Sequence, residues 1–220
     1  VHLTDMAAPQ AVEVQRALTS VLDIPVLHDE QDGVATAVLA GLVNALQVTG
    51  TALANATVVV DGAEAAATAT RRLLEAAGVG TVATDLAGAH AFIGIDTPAP
   101  TPEGLATMAP QPIVFALCSA AAPTSDPGAQ VFATSSADQP NQITAALAYP
   151  GIWRGALDCR ATSINDAMLV AAAHAIAETA GTVAPDNVVP SVLNPELVPN
   201  VAKAVRAAAE ASGAARLPAA

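Results

Sequence analysis

Basic residues are scarce: 8 Lys and Arg stand against 20 Asp and Glu, a formal charge of −12 over 220 residues. Such a chain has nothing with which to neutralise a phosphate backbone, so nucleic acid and anionic membrane surfaces are excluded as partners. Nor does it attract a phosphorylated ligand by its overall field. Aromatic residues make up only 2%, with one Trp and one Tyr. The core must therefore be Ala, Val and Leu carried on closely approaching helices. Cysteine is limited to Cys118 and Cys159, without CxxC or Cys/His metal spacing, which excludes a disulfide framework and makes a reducing cytoplasm the expected compartment. Uninterrupted apolar runs of about 20 residues are missing, so no membrane span is expected. The positive mean hydropathy of +0.47 comes from alanine. Val1-His2-Leu3 carries no start methionine or signal pattern, and further polypeptide is expected upstream.

What is present is organised around Ala56–Gly78, ATVVVDGAEAAATATRRLLEAAG. A β-branched run, Thr57–Val60, ends in Asp61-Gly62 and opens into an alanine-rich segment of helical spacing. Strand, glycine turn and helix in this order are the first half of a dinucleotide-binding βαβ unit. Its Gly-x-Gly-x-x-Gly/Ala fingerprint reads Gly62-Ala63-Glu64-Ala65-Ala66-Ala67. The last position accepts alanine, but the middle glycine, which lets the backbone approach a pyrophosphate, is glutamate. At ~5 Å and an effective dielectric of ~20, each unit-charge repulsion costs roughly 3 kcal/mol. Glu64 also suits the first turn of a helix on its own account. Both readings predict a poor anion site, so NAD(P) binding is not expected.

Thr81–Thr84 reads as the second strand. It leads to Asp85, placed either as the acid that meets the ribose hydroxyls or as a polar strand end. Only Leu86–His90 separates it from the next strand, Ala91–Ile95. A parallel crossover needs ten or more residues, so one strand–helix unit of a doubly wound sheet is missing. Helices are expected over Ala8–Leu22, with Val12, Leu18, Val21 and Leu22 on one face, over Val34–Val48, and over Ser163–Ala180. Further strands are expected at Pro112–Leu117 and Val131–Thr134. The fold class is α/β: a Rossmann-like, mostly parallel sheet with helices on both faces. Residues 1–33 form an entry helix and acidic loop, and residues 34–220 the degenerate Rossmann-like domain. The apolar helices Val34–Val48 and Ser163–Ala180 suggest covered surface, and a homo-oligomer is expected.

Several stretches carry a family resemblance: IPVLHDEQDG (Ile24–Gly33), PIVFAL (Pro112–Leu117), PNQ (Pro140–Gln142), YPGIWRGALD (Tyr149–Asp158) and SINDAM (Ser163–Met168). In this order they resemble the nucleotide-binding half of bacterial-type malic enzymes, over essentially the whole chain. The resemblance implies oxidative decarboxylation of malate with NAD(P) and Mg²⁺ or Mn²⁺. By position, Asp5, Asp29 and Glu30 would be the metal carboxylates. Asp5 is preceded by Thr4 where the family has a glutamate, and Glu30 replaces an aspartate, so a weak ion site is expected. Ser119-Ala120 replaces the family's Asn-Pro, and Thr144-Ala145 its substrate amides. Asp32 stands where the family has a histidine and is placed on the surface. The family's catalytic tyrosine and lysine belong to a preceding domain, and no lysine precedes Lys203.

These departures lead to an expected loss of the redox activity. The leading expectation is a cleft running non-redox acid–base chemistry on a small organic molecule, with no nucleotide cofactor. His28, Asp29, Glu30 and Asn141 are its candidate catalytic groups. Gly62, Ala63, Glu64, Ala67, Asp85 and Ser119 form a degenerate cofactor site. His28 is either a general base or a histidine satisfied in a turn, and Cys118 a nucleophile or a small core residue. Two alternatives stand beside it: the NAD(P)-binding half of a split or truncated malic enzyme, partnered by an N-terminal-type domain, and a non-catalytic oligomeric scaffold.

Overall fold

The computed structural model describes residues 1–6, 8–63, 65–118 and 127–216. At the N-terminus, β1 (His2–Leu3) pairs in parallel with β2 (Leu27–His28), and α1 (Ala8–Val21) makes the crossover between them. Expected to bury one apolar face, α1 instead buries Ala11 and leaves Val12 and Val21 exposed. The acidic loop is a π-helical turn, Asp29–Gly33, which runs straight into α2 (Val34–Thr49) and stops at Gly50 in the left-handed region. The combined stretch Asp29–Thr49 is long and apolar enough to cross a bilayer by composition, but 72% of its most apolar window is buried inside the fold. A buried core helix passes the same test as a membrane span.

Among the described residues, the main sheet is all parallel and has five strands: β3 (Thr57–Asp61), β4 (Thr81–Ala83), β5 (Ala91–Ile95), β6 (Ile113–Leu117) and β7 (Val131–Thr134). Their order across the sheet is β4-β3-β5-β6-β7. This is the doubly wound order 3-2-1-4-5-6 without its third strand. The shortage seen in sequence between Asp85 and Ala91 is thus real. Residues 84–90 alone carry the chain from one side of β3 to the other. They reach at most about 24 Å, enough for about 10 Å along a three-residue strand and about 10 Å across two strand spacings. A short β4 is what makes the short return possible.

Alternation along the strands divides the core. Val58, Val60, Ile93, Ile113 and Phe115 face the long helices α2, α3 (Ala65–Ala76), α5 (Tyr149–Asp158), α6 (Asp166–Thr179) and α7 (Leu197–Ala211). Val59, Phe92, Val114 and Phe132 face the other side, where among the described residues Leu86, Ala89, Ala99, Met108, Ala129 and the single-turn α4 (Pro102–Leu105) pack against them. Both faces carry helix, but very unequally. The apolar helices α2 and α6 are covered within the chain, by each other, α3 and α7. Asn44 on α2 clamps this layer by donating 2.9 Å hydrogen bonds to the carbonyls of Ala177 and Val188. Cys159 is core, fully buried.

Candidate functional site

The site is built where the chain leaves the carboxyl ends of the strands. Past Asp61, Gly62 takes φ +139°, and a Cβ there would lie 2.6 Å from the carbonyl oxygen of Ile95 and 3.2 Å from Ala67 Cβ. Only glycine closes this turn against β5. Ala67, at the last fingerprint position, is fully buried and packs helix on strand as that position requires. Arg71, one helical turn on, donates through Nη2 to the carbonyls of Val60 (2.7 Å) and Gly62 (2.9 Å). It therefore ties α3 to the end of β3, a role that no local pattern announces. Ala63 is exposed beside the turn. Glu64 and Ser119 lie outside the described residues.

A cavity of about 510 Å³ opens beside the β3/β5 switch point. Ala65 and Ala66 of α3, Ile95-Asp96 after β5, and Leu117 and Ser135 at the ends of β6 and β7 form its floor. Asp5, His28, Asp29, Glu30 and Tyr149 line it from the N-terminal side. So four predicted site residues come together here. His28 is 1% exposed, and among the described residues neither ring nitrogen has a hydrogen-bond partner. Asp29 accepts from the Glu30 amide at 2.9 Å and lies 3.3 Å from His2 Nε2, whose ring rests on Tyr149 and Trp153. Asp96, with φ +54°, was missed in sequence; an acid directly after a buried strand was the available signal.

Two other predicted residues sit apart. Asn141 is absent from the cavity lining. Its amide donates to the carbonyls of Phe132 and Pro185, and its oxygen accepts from Val188 N–H. Asp85 lies exposed past β4, with Oδ1 accepting from the Ala87 amide at 2.9 Å. Asp32, expected at the surface, is buried and accepts from Arg72 (2.7 Å) and Gln15 (2.8 Å). It belongs to a separate groove of about 830 Å³ between α1, α3 and the start of α6. Cys118 Sγ donates to Thr97 O, and burial with Asp96 nearby pushes its thiol pKa up, which disfavours the nucleophilic thiolate.

Residues 101–210 match the family model described as malic enzyme, NAD binding domain. The chain belongs to the malic enzyme family. Over 259 aligned positions it is 37% identical to the NAD-dependent malic enzyme of Geobacillus stearothermophilus, covering 98% of this chain and 54% of that protein. It is 34% identical to the NADP-dependent malic enzyme of Halomonas elongata, covering 99% of this chain and 65% of that one. The crystal structure of a malic enzyme from Pyrococcus horikoshii superposes with a TM-score of 0.91 at 33% identity, over 99% of this chain and 62% of its own. The chain thus spans between about half and two thirds of these relatives' length. About 40 positions of the Geobacillus alignment have no counterpart here, in keeping with the missing strand.

Membership in this family overturns the expectation of no nucleotide cofactor. The matching family model is an NAD-binding domain, and the relatives are NAD- or NADP-dependent enzymes. The physical error was to let one assumed carboxylate position outweigh a whole scaffold. Outside residue 64, the described residues retain two features of the fingerprint, the close Gly62 turn against β5 and the buried Ala67. The metal is a different matter. Asp5, Asp29 and Glu30 share one cavity, but among the described residues no three His, Cys, Asp or Glu side chains converge closely enough to hold an ion. A hard cation needs several oxygens at fixed distance, and this donor set does not fit one.

Proposed function

We propose that this chain is the NAD(P)-binding part of a malic-enzyme-type oxidoreductase, as in the split or truncated form of such an enzyme. The observation that carries the reading is the cavity at the strand ends, lined by the first residues of α3, Ala65 and Ala66, and by Ile95 and Asp96 after β5. In sheets of this order the pyrophosphate sits at the helix N-terminus and the reactive ring in the crevice beside it. Gly62, Ala65 and Ala66 would hold the phosphates, Asp85 the adenosine ribose, and the cavity from Ile95 to Leu117 the ring. When bound, the dinucleotide supplies the hydride acceptor for oxidising a hydroxy acid.

What the chain's own residues do is position and exclude water. His28 belongs to the cavity wall and has two buried ring nitrogens without a hydrogen-bond partner among the described residues. No lysine precedes Lys203, so a lysine base of the family's kind would be supplied by other polypeptide. The proposal that the cleft runs unrelated acid–base chemistry rested on the absence of a cofactor and goes with it.

Fluorescence titration of the 220-residue chain with NADH tests the reading. Saturable binding in the micromolar range is expected, with at least a tenfold loss in Gly62→Ala, whose new Cβ pushes β5 away from the turn. No saturation by wild type up to millimolar NADH would overturn it.

A further inference from the structure

We propose that the groove between α1, α3 and the start of α6 binds a small aliphatic monocarboxylate, at a site separate from the strand-end cavity. The groove measures about 830 Å³, within the size range of small-molecule sites. Two observations point to an occupant. Gln31, in the groove lining, is 8% exposed, and its buried Nε2 has no hydrogen-bond partner among the described residues. A buried donor without an acceptor is costly to keep. Val12 and Ile24 line the same groove and are 41% and 47% exposed, so apolar surface stands beside that unmatched amide. Gln31 belongs to the π-helical turn, in the partition between the groove and the strand-end cavity.

The charges of the groove set the chemistry of that occupant. Its acids are already matched: Asp32 accepts from Arg72 and Gln15, Asp166 lies 3.4 Å from Arg72, and Asp23 pairs with Arg216. Arg16, exposed on α1, lines the groove without an ion-pair partner among the described residues. Both unmatched groups, the Gln31 amide and the Arg16 guanidinium, are donors, so the occupant brings acceptors. A carboxylate answers a guanidinium with two parallel hydrogen bonds. A doubly charged head such as a phosphate would meet Asp23, Asp32 and Asp166 against only Arg16 and Arg72, which favours a single charge. Among the described residues the lining holds no aromatic ring, and Val12, Ile24, Val26 and Leu169 offer aliphatic surface to an alkyl body.

The test is isothermal titration of the 220-residue chain, without nucleotide, with octanoate, octyl phosphate and 1-octanol. Octanoate should bind one to one with a Kd below about 1 mM. Arg16→Gln should weaken it about tenfold and Gln31→Leu about fivefold. Lys203→Gln removes the same charge from an exposed place on α7 and should leave the affinity unchanged. Octyl phosphate and octanol should each bind at least about fivefold more weakly than octanoate. Circular dichroism checks that each variant folds, and the exposed Arg16 keeps the test decisive if Gln31→Leu does not. No saturation by octanoate up to about 10 mM, or wild-type affinity in Arg16→Gln or in folded Gln31→Leu, would overturn the site. Octyl phosphate binding as tightly as octanoate would overturn the carboxylate assignment. A dimer in sedimentation that Val12→Asp dissociates would make the groove an interface between copies and overturn the proposal as well.

Discussion

At the residue scale, His28 and Asn141, both expected as candidate catalytic groups, stand in opposite surroundings. Asn141 was expected in the site because it stands in the family-like PNQ stretch; its three partners lie at Phe132, Pro185 and Val188, up to 47 positions away. No local pattern announces such bonds. His28 is the reverse case, buried in the cavity wall with nothing to bond to among the described residues. A buried polar group left unsatisfied costs about 1–3 kcal/mol, and a fold does not keep it for stability. His28→Leu should therefore leave urea stability unchanged or raise it by about 1–2 kcal/mol, while weakening binding of any ligand that reaches the cavity. A loss of stability would mean that the imidazole is a structural group. Cys118 makes a second residue-scale prediction. Burial and the neighbouring Asp96 raise its pKa, so the folded state holds the thiol proton more tightly than the unfolded state. That contribution is fully present below the ordinary thiol pKa and is lost as pH rises through the raised folded value. Alkaline denaturation measured on wild type and Cys118→Ala should show a steeper loss of stability in wild type.

At the element scale, more was legible. The β3–turn–α3 unit announced itself because β-branched residues, Asp-Gly and alanine-rich helix follow one another without a gap. The missing unit could be counted from loop length alone. By contrast, β1 and β2 are two residues each, too short for any periodicity, and a π-helical turn has the same composition as a loop. The scarcity of aromatics also carried a correct packing inference. On α5, a Cβ at Gly151 would sit 2.4 Å from Val201 Cβ, and one at Gly155 2.5 Å from the Ala202 carbonyl. These glycines let α5 and α7 meet nearly backbone to backbone, the only way small side chains fill such a layer. Gly155→Ala must force the helices apart. A cost of about 2–3 kcal/mol is expected, read as a lowered Tm, whereas exposed Gly181→Ala on the same scale reports only backbone strain. If Gly155→Ala matched wild type in thermal unfolding, the close crossing would be wrong.

At the scale of the whole molecule, the sheet has one thick side and one thin side. Five long helices cover the first, and the helical layer is tied by Asn44 to the ends of α6 and the segment beyond. The second has, among the described residues, a small cluster around Val59, Phe92 and Val114 packed by Leu86, Ala99, Leu105 and Ala129. The missing strand of a doubly wound sheet would have stood at the β4 edge, beside residues 84–90. Apolar burial is what resists local opening, so protection should grade across the sheet rather than be uniform. In native-state hydrogen exchange, amides of β4 and of residues 84–90 should exchange through low-energy openings. Those of α2, α6 and β6 should exchange only with global unfolding. Dinucleotide binding sharpens the test: a ligand bridging Asp85 and the Gly62 turn must close the openings at β4, and should raise protection there by more than it does in α6. Uniform protection, with or without NADH, would mean that the short return over β3 is as secure as the helical layer. The missing unit would then have cost the fold nothing.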